Sequence, residues 1–303
     1  MLPIIKYKSL FFFLSGTIIA LSIVAVAVWG LKFGIDFTGG SIEEIQWNVA
    51  RPDSSAIAAV YKDNGVASVE IQNSGDSETF ARFQDIDEAK HAAILAALRQ
   101  KFADAKTTAD KVLEEKSFSA IGPSVGSEMQ RKSLYAIVMV LLAIIIYVAW
   151  AFRKVSRPVA SWKYGVAAVI ALMHDVFIPI GIFSILGHFL GYQVDILFVT
   201  ALLTVLGFSV HDTIVVFDRI RENLLKRQGE FEDIVNYSVN QTIIRSINTS
   251  FTVMLVLLAV YFLGGASVHN FILTLVIGVF FGTYSSIFIA SPVLVVWHNA
   301  KKK

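Results

Sequence analysis

A chain of 303 residues with 55% hydrophobic and 17% charged residues, and a mean hydropathy of +0.63, cannot cover itself with polar surface as an ordinary soluble domain does. It reads as an integral membrane protein. The net charge of +2 is too small to make a nucleic-acid surface, and the absence of cysteine excludes disulfides and thiolate metal or redox chemistry.

Lys6 and Lys8 precede the first apolar run, residues 10–29. Ala25 and Ala27 imitate a signal-peptidase site, but about 20 apolar residues exceed a typical signal core, so the run is read as a retained span. Residues 31–132 then change composition to that of a folded domain of about 100 residues. In it, residues 41–47 alternate Ile42, Ile45 and Trp47 with acids and read as a strand; residues 52–63 read as a helix with Asp53 as its cap. Two strands, 66–72 and 78–84, flank the turn cluster Asn73-Ser74-Gly75-Asp76. A helix over 85–102 starts at Asp87, buries Ile94, Leu95, Leu98 and Phe102, and leaves His91 as a solvated residue on its polar side. A strand over 112–121 closes the order β-α-β-β-α-β, which predicts a ferredoxin-like α+β domain.

Five further apolar runs, at 134–152, 164–186, 196–217, 243–263 and 271–297, complete six spans, so the termini share a side. The short connections on that side carry Arg153, Lys154, Arg157, Lys163, Arg219, Arg221, Lys226 and Arg227, joined by Lys301 to Lys303 at the end. The connections 187–195 and 264–270 have no Lys or Arg. The basic side is therefore expected to be cytoplasmic. The expectation is a membrane all-α protein with both termini cytoplasmic and an extracytoplasmic α+β ferredoxin-like domain between helices 1 and 2. Its parts would be 1–30 (terminus and first span), 31–132 (outer domain), 133–298 (remaining spans) and 299–303 (basic tail). The charged stretch 218–227 reads as an amphipathic segment along the interface.

Ionisable residues inside the spans are the candidate site. Asp212 lies in ILFVTALLTVLGFSVHDTIVVF, roughly 9 Å from the Asp218 end at about 1.5 Å per residue. Thr200, Thr204, Gly207 and His211 form one stripe on that helix, a small polar face suited to another helix. The antiparallel neighbour brings Arg245 near Asp212, either as its charge partner or snorkelling to the headgroups. Asp175, one turn before Pro179, pairs with His174 as a relay or as a packing hydrogen bond. His211 is a further proton-pathway candidate, with Thr204 a ready partner. The two His-Asp pairs lack the spacing of a metal cluster, and no metal or cofactor is expected. Gly278, Gly282, Ser286 and Ala290, each four apart, form a close-packing ladder. Gly39 and Gly40 follow no phosphate-loop pattern and set a tight entry to the outer domain, together with Gly34 and Asp36.

Six motifs in order carry a family resemblance: FGIDFTGG at 33–40, IGPSVGSE at 121–128, HDV at 174–176, HDTIVVFDRIREN at 211–223, the stretch from Asn240-Gln241-Thr242 through Arg245 to Thr249-Ser250, and GTYSSIFIASP at 282–292. Together they resemble the SecF branch of the SecD/SecF family of bacterial protein-export factors over nearly the whole chain. The resemblance implies an inner-membrane, proton-motive-force-driven accessory role in export of secretory polypeptides. It also implies a SecD partner, association with the SecYEG channel, YidC and YajC as further candidates, and kinship with proton-driven efflux pumps of the resistance-nodulation-division superfamily. Asp212 would exchange protons, Arg245 would modulate it, and the 34–40 segment would couple the outer domain to that exchange. The rivals are a homo-oligomeric proton-coupled half-transporter for a small amphiphile, and a scaffold in which the intramembrane charges are dispensable. An intramembrane protease is disfavoured, since no Ser-His dyad, aspartyl or zinc motif appears.

Overall fold

The computed structural model describes residues 1–103, 107–152, 159–265 and 268–300. Arg153, Lys154, Arg157 and Lys301 to Lys303, which enter the sidedness argument, lie outside the described residues. In chain order the elements are α1 (Lys8–Trp29), α2 (Ile35–Thr38), β1 (Gly40–Trp47), α3 (Ser54–Asp63), β2 (Val69–Ser74), β3 (Glu78–Phe83), α4 (Glu88–Phe102) and β4 (Leu113–Ile121). They continue with α5 (Pro123–Ala151), α6 (Ser161–Leu190), α7 (Ile196–Lys226), α8 (Phe231–Leu263), α9 (His269–Ser285) and α10 (Ser291–Asn299). The chain divides into two compact units, Met1–Lys32 with Leu134–Lys303, and Phe33–Ser133.

In the first unit, six helices among the described residues are long and apolar enough to cross a membrane, α9 and α10 counting as one. Helices α6, α7 and α9–α10 form the centre, with about half or more of their apolar windows buried; α5 and α8 are covered over only 6% and 11% of theirs. The last span is continuous but not uniform. Pro292 has no amide to return to the preceding turn, and the backbone widens there into one π turn, Ser286–Ala290, whose Ser286 carbonyl accepts from Ser291 Oγ at 3.5 Å. The charged stretch after Asp218 does not form a separate segment: α7 runs unbroken to Lys226, and i,i+3 and i,i+4 pairs such as Arg219–Glu222 and Lys226–Glu222 stabilise its last turns.

In the second unit an antiparallel sheet has the order β2-β3-β1-β4. Its core gathers Ile45, Trp47, Ile57, Tyr61, Ile94 and Leu98. Strand β1 buries a face that mixes apolar and polar residues. Period two from Trp47 buries Ile45, Glu43 and Ser41, and sends Ile42 to the opposite side. Asp53 stands at the N-cap of α3, but its carboxylate accepts from Ser55 Oγ at 3.2 Å instead of capping the helix backbone. Asp87 does cap α4, accepting from the Lys90 amide at 2.8 Å.

Candidate functional site

Helix α6 supplies the most completely held carboxylate. Asp175 is fully buried; its Oδ2 accepts from Ser209 Oγ of α7 at 2.5 Å and from Ser285 Oγ of α9 at 2.8 Å, and its Oδ1 lies 3.0 Å from His174 Nδ1. Burying a carboxylate without such donors costs several kcal/mol or more. Pro179 also matters, because it lacks the amide that would engage the Asp175 carbonyl four residues earlier. His174 stacks on Tyr284, ring centroids 5.7 Å apart, and its Nε2 has no hydrogen-bond partner. Tyr284 in turn accepts from Ser15 Oγ of α1 at 3.1 Å. Ser15, Tyr284, His174, Asp175 and Ser209 thus form a contiguous cluster from α1 to α7, with a ring stack rather than a hydrogen bond between Tyr284 and His174.

Asp212 lies three residues after Ser209 and therefore on the same side of α7. It is 4% exposed, and among the described residues its Oδ2 has no hydrogen-bond partner. Ser246, His211 and Arg245 are the polar groups that act on it, and the Ser246 hydroxyl faces it without closing a hydrogen bond of ordinary geometry. Arg245 reaches the level of Asp212, but its side chain is exposed and among the described residues it closes no ion pair. It lines a cavity of about 250 Å³ with Ile214, Val215, Asp218, Arg219, Glu222, Gln241 and Thr242. Next to that cavity Asn223 donates to Ser238 Oγ and to Gln241 Oε1, both at 2.9 Å, tying α7 to α8. Asn240 holds the N-terminal stretch, accepting from the Leu2 amide at 2.7 Å and donating to the Leu2 carbonyl at 2.9 Å.

The stripe Thr200, Thr204, Gly207 and His211 is exposed, and a Cβ on Gly207 would meet nothing within 4 Å. Among the described residues no helix packs on it; Thr204 and Thr200 return their hydroxyls to their own helix, to Thr200 O and Ile196 O, each at 2.8 Å. The closely packed face of α7 is the opposite one, against α9. A Cβ on Gly278 would lie 2.2 Å from the Val205 side chain, and one on Gly282 would lie 3.1 Å from Ser209 Cβ and 3.7 Å from Asp175 Oδ2. Ser286 and Ala290 continue that ladder, both fully buried. Ser250 of α8 and Thr283 of α9 are hydrogen-bonded to each other one turn away.

In the second unit, Gly34 and Gly39 bracket α2, which carries Asp36. Gly39 and Gly40 have φ of +75° and +125°, and a Cβ on either would fall 2.7 Å from backbone atoms, of Pro123 and of Phe83 respectively. Gly126 approaches Gly39 and Phe37 as closely, so the motifs at 33–40 and 121–128 are one backbone-on-backbone junction.

His91 is not a solvated residue. It is 4% exposed, its ring stacks on Phe118 at 3.8 Å, and it stands between Glu43 and Glu115. Burial pushes the Glu43 carboxyl above the ordinary carboxylate range, opposed by the hydrogen bond from Tyr61 and the charge of His91. Burial beside Glu43 likewise raises Tyr61.

Sequence reasoning singled out both aspartates but missed Ser209, Ser285 and Ser246, the hydroxyls that distinguish their environments. The available signal was the helical offset: Ser209 is one turn before Asp212, and Ser285 lies within the motif at 282–292.

Helices that bury carboxylates among hydroxyls, joined in one chain to a four-stranded antiparallel unit, define a multi-pass membrane protein with ionisable groups in its helical core. The chain belongs to the SecD/SecF family: residues 101–300 match the family described as protein export membrane protein SecD/SecF, C-terminal. It is 44% identical to the protein translocase subunit SecF of Thermobaculum terrenum, over 99% of this chain and 95% of that one. It is 40% identical to the same-named subunit of Anaerolinea thermophila, over 99% and 96%. Among solved structures it resembles SecDF, a translocon-associated membrane protein from Thermus thermophilus, with a TM-score of 0.80 and 32% identity over 97% of this chain. It also resembles SecDF in a super-membrane-facing form, with a TM-score of 0.68 and 31% identity. This chain spans 38% and 39% of the length of those two SecDF chains.

Proposed function

We propose that the chain is an accessory, non-enzymatic subunit of the Sec protein translocase that works with a SecD partner and uses the proton-motive force to promote export of secretory polypeptides. The single observation that carries the translocase reading is the full-length likeness to protein translocase subunits named SecF. The SecDF chains support a SecD partner, since this chain matches little more than a third of their length. SecYEG, YidC and YajC are the further partners in this reading.

The proton-carrying site is the seam of α6, α7 and α8. Asp212, with an unengaged oxygen one turn from the Arg245 cavity, exchanges protons; Asp175, sealed by Ser209, Ser285 and His174, is the inner end of the path. Arg245 acts when a rearrangement brings it to Asp212, and the exposed stripe ending at His211 faces the partner. The second unit lies on the outer side with a ferredoxin-like fold, supported by its β-α-β-β-α-β order and the sheet order β2-β3-β1-β4. Its glycine junction at Gly34, Asp36, Gly39 and Gly40 transmits the motion. Both termini are cytoplasmic at the inner membrane, supported by Lys6, Lys8, Lys163 and the arginines after Asp218.

The test is proton-dependent stimulation of export in inverted vesicles carrying Asp212→Asn. Assembly with SecD should persist, judged by co-purification in mild detergent, while the stimulation disappears. Full stimulation by the variant would overturn the assignment of Asp212.

A further inference from the structure

We infer that Glu43, His91 and Glu115 form a divalent-cation site, of the zinc class, that clamps helix α4 onto the sheet of the second unit. The three residues come from three elements, the central strand β1, helix α4 and strand β4, and their ligand atoms all lie within 4.8 Å of one another. His91 Nε2 is 3.5 Å from Glu43 Oε1 and 3.3 Å from Glu115 Oε1. Metal–ligand bonds of about 2.0–2.2 Å in tetrahedral geometry place ligand atoms about 3.4 Å apart, which matches both separations from His91 and leaves the two carboxylates only a side-chain adjustment to make.

Hydrogen bonding does not account for the arrangement. Among the described residues the buried Glu43 Oε1 and His91 Nε2 close no hydrogen bond of ordinary geometry, although they lie 3.5 Å apart and point into the same small space. A lone imidazole held between two carboxylates, one of them fully buried, also leaves acceptors in excess of donors. Around the donors the groups expected of an outer shell are present. Tyr61 donates to the other Glu43 oxygen at 2.6 Å and fixes that carboxylate. Phe118, stacked at 3.8 Å with 15° between planes, fixes the imidazole.

The strand geometry aims Glu115 at this point. Glu115 and Phe118 are three residues apart, and regular alternation would send them to opposite faces. The β1–β4 register shifts between Glu44 and Ile45, where Glu44 pairs with Ser117 and Ile45 with Glu115. The extra residue, Lys116, forms a bulge that turns both side chains toward His91. One nitrogen and two carboxylate oxygens suit zinc better than magnesium or calcium, which take more oxygen ligands.

The inference is independent of the translocase reading, and its test reads no export activity. The full-length chain, purified in detergent without a histidine tag and stripped with chelator, is titrated with Zn²⁺ by calorimetry and with Co²⁺ by visible absorption. One equivalent of Zn²⁺ should bind, unaffected by millimolar Mg²⁺, and Co²⁺ should give the intense bands of four-coordination. Glu115→Gln should weaken Zn²⁺ at least tenfold, whereas His188→Ala and His211→Ala should leave it unchanged. Tyr61→Phe keeps all three ligands and should retain the one equivalent, so it serves should Glu115→Gln not fold. Absence of binding, the weak spectrum of six-coordinate cobalt, or equal affinity in Glu115→Gln would overturn the site.

Discussion

Asp175 and Asp212 are buried on adjacent helices of one bundle, yet they are held in opposite ways. Asp175 has a hydroxyl donor from α7, another from α9, and the His174 ring nitrogen at 3.0 Å; among the described residues Asp212 has an oxygen that closes no hydrogen bond and a serine that faces it unbonded. A buried charge with all its partners is expensive to break, while one without them is a strained group that a change of surroundings can relieve. The first has the surroundings of an anchor; the second has those of a group able to change partners.

The largest expected effect separates them directly. Asp175→Leu leaves Ser209, Ser285 and His174 without their acceptor, and should cost roughly 2–4 kcal/mol. Asp212→Leu removes an unsatisfied oxygen and should change stability by about 1 kcal/mol or less, in either direction. Thermal midpoints in detergent measure both; equal losses would erase the distinction between anchor and poised group.

The carboxylates themselves were legible in the sequence because a charge inside an apolar run stands out against the cost of burying it. Their different roles were not, because serine is common in spanning helices, and nothing in the sequence says which serines converge. The spans were legible for the same hydropathic reason, although α5 and α7 extend beyond their apolar runs. In the second unit, the positions of the strands and helices followed from turn residues and periodicity. The inward face of β1 did not, since it carries Ser41 and Glu43 while Ile42 lies on the other side. His91 was concealed as well, because Glu43, one of its two close carboxylate partners, is itself buried on that strand. A bulge at Lys116 cannot be read from alternation at all.

The next effect concerns what holds the Asp175 helix in place. A Cβ on Gly181 would fall 2.3 Å from Ser22 Cβ and 2.5 Å from Ser22 Cα, so α1 must move away. Gly181→Ala should therefore cost about 2–3 kcal/mol. Gly282→Ala should cost less, about 1 kcal/mol, because Ser209 can yield by a few tenths of an ångström. It should nevertheless disturb Asp175 more than Asp212, since Ser209 is the donor it displaces. Combining it with Asp175→Leu checks this by a double-mutant cycle in thermal stability: the two losses should fall short of adding.

The smallest effect on stability is expected at Ser246, and it is the most discriminating comparison. Ser209→Ala removes a buried hydrogen bond to a carboxylate, a loss of about 1.5–3 kcal/mol. Ser246→Ala removes a hydroxyl that has no partner in this arrangement, so its thermal midpoint should match the parent within about 0.5 kcal/mol. If Ser246 engages Asp212 during the transport cycle, proton-dependent export should still fall severalfold in Ser246→Ala. A stability loss as large as that of Ser209→Ala would make Ser246 a second static anchor, and Asp212 would then be held as firmly as Asp175.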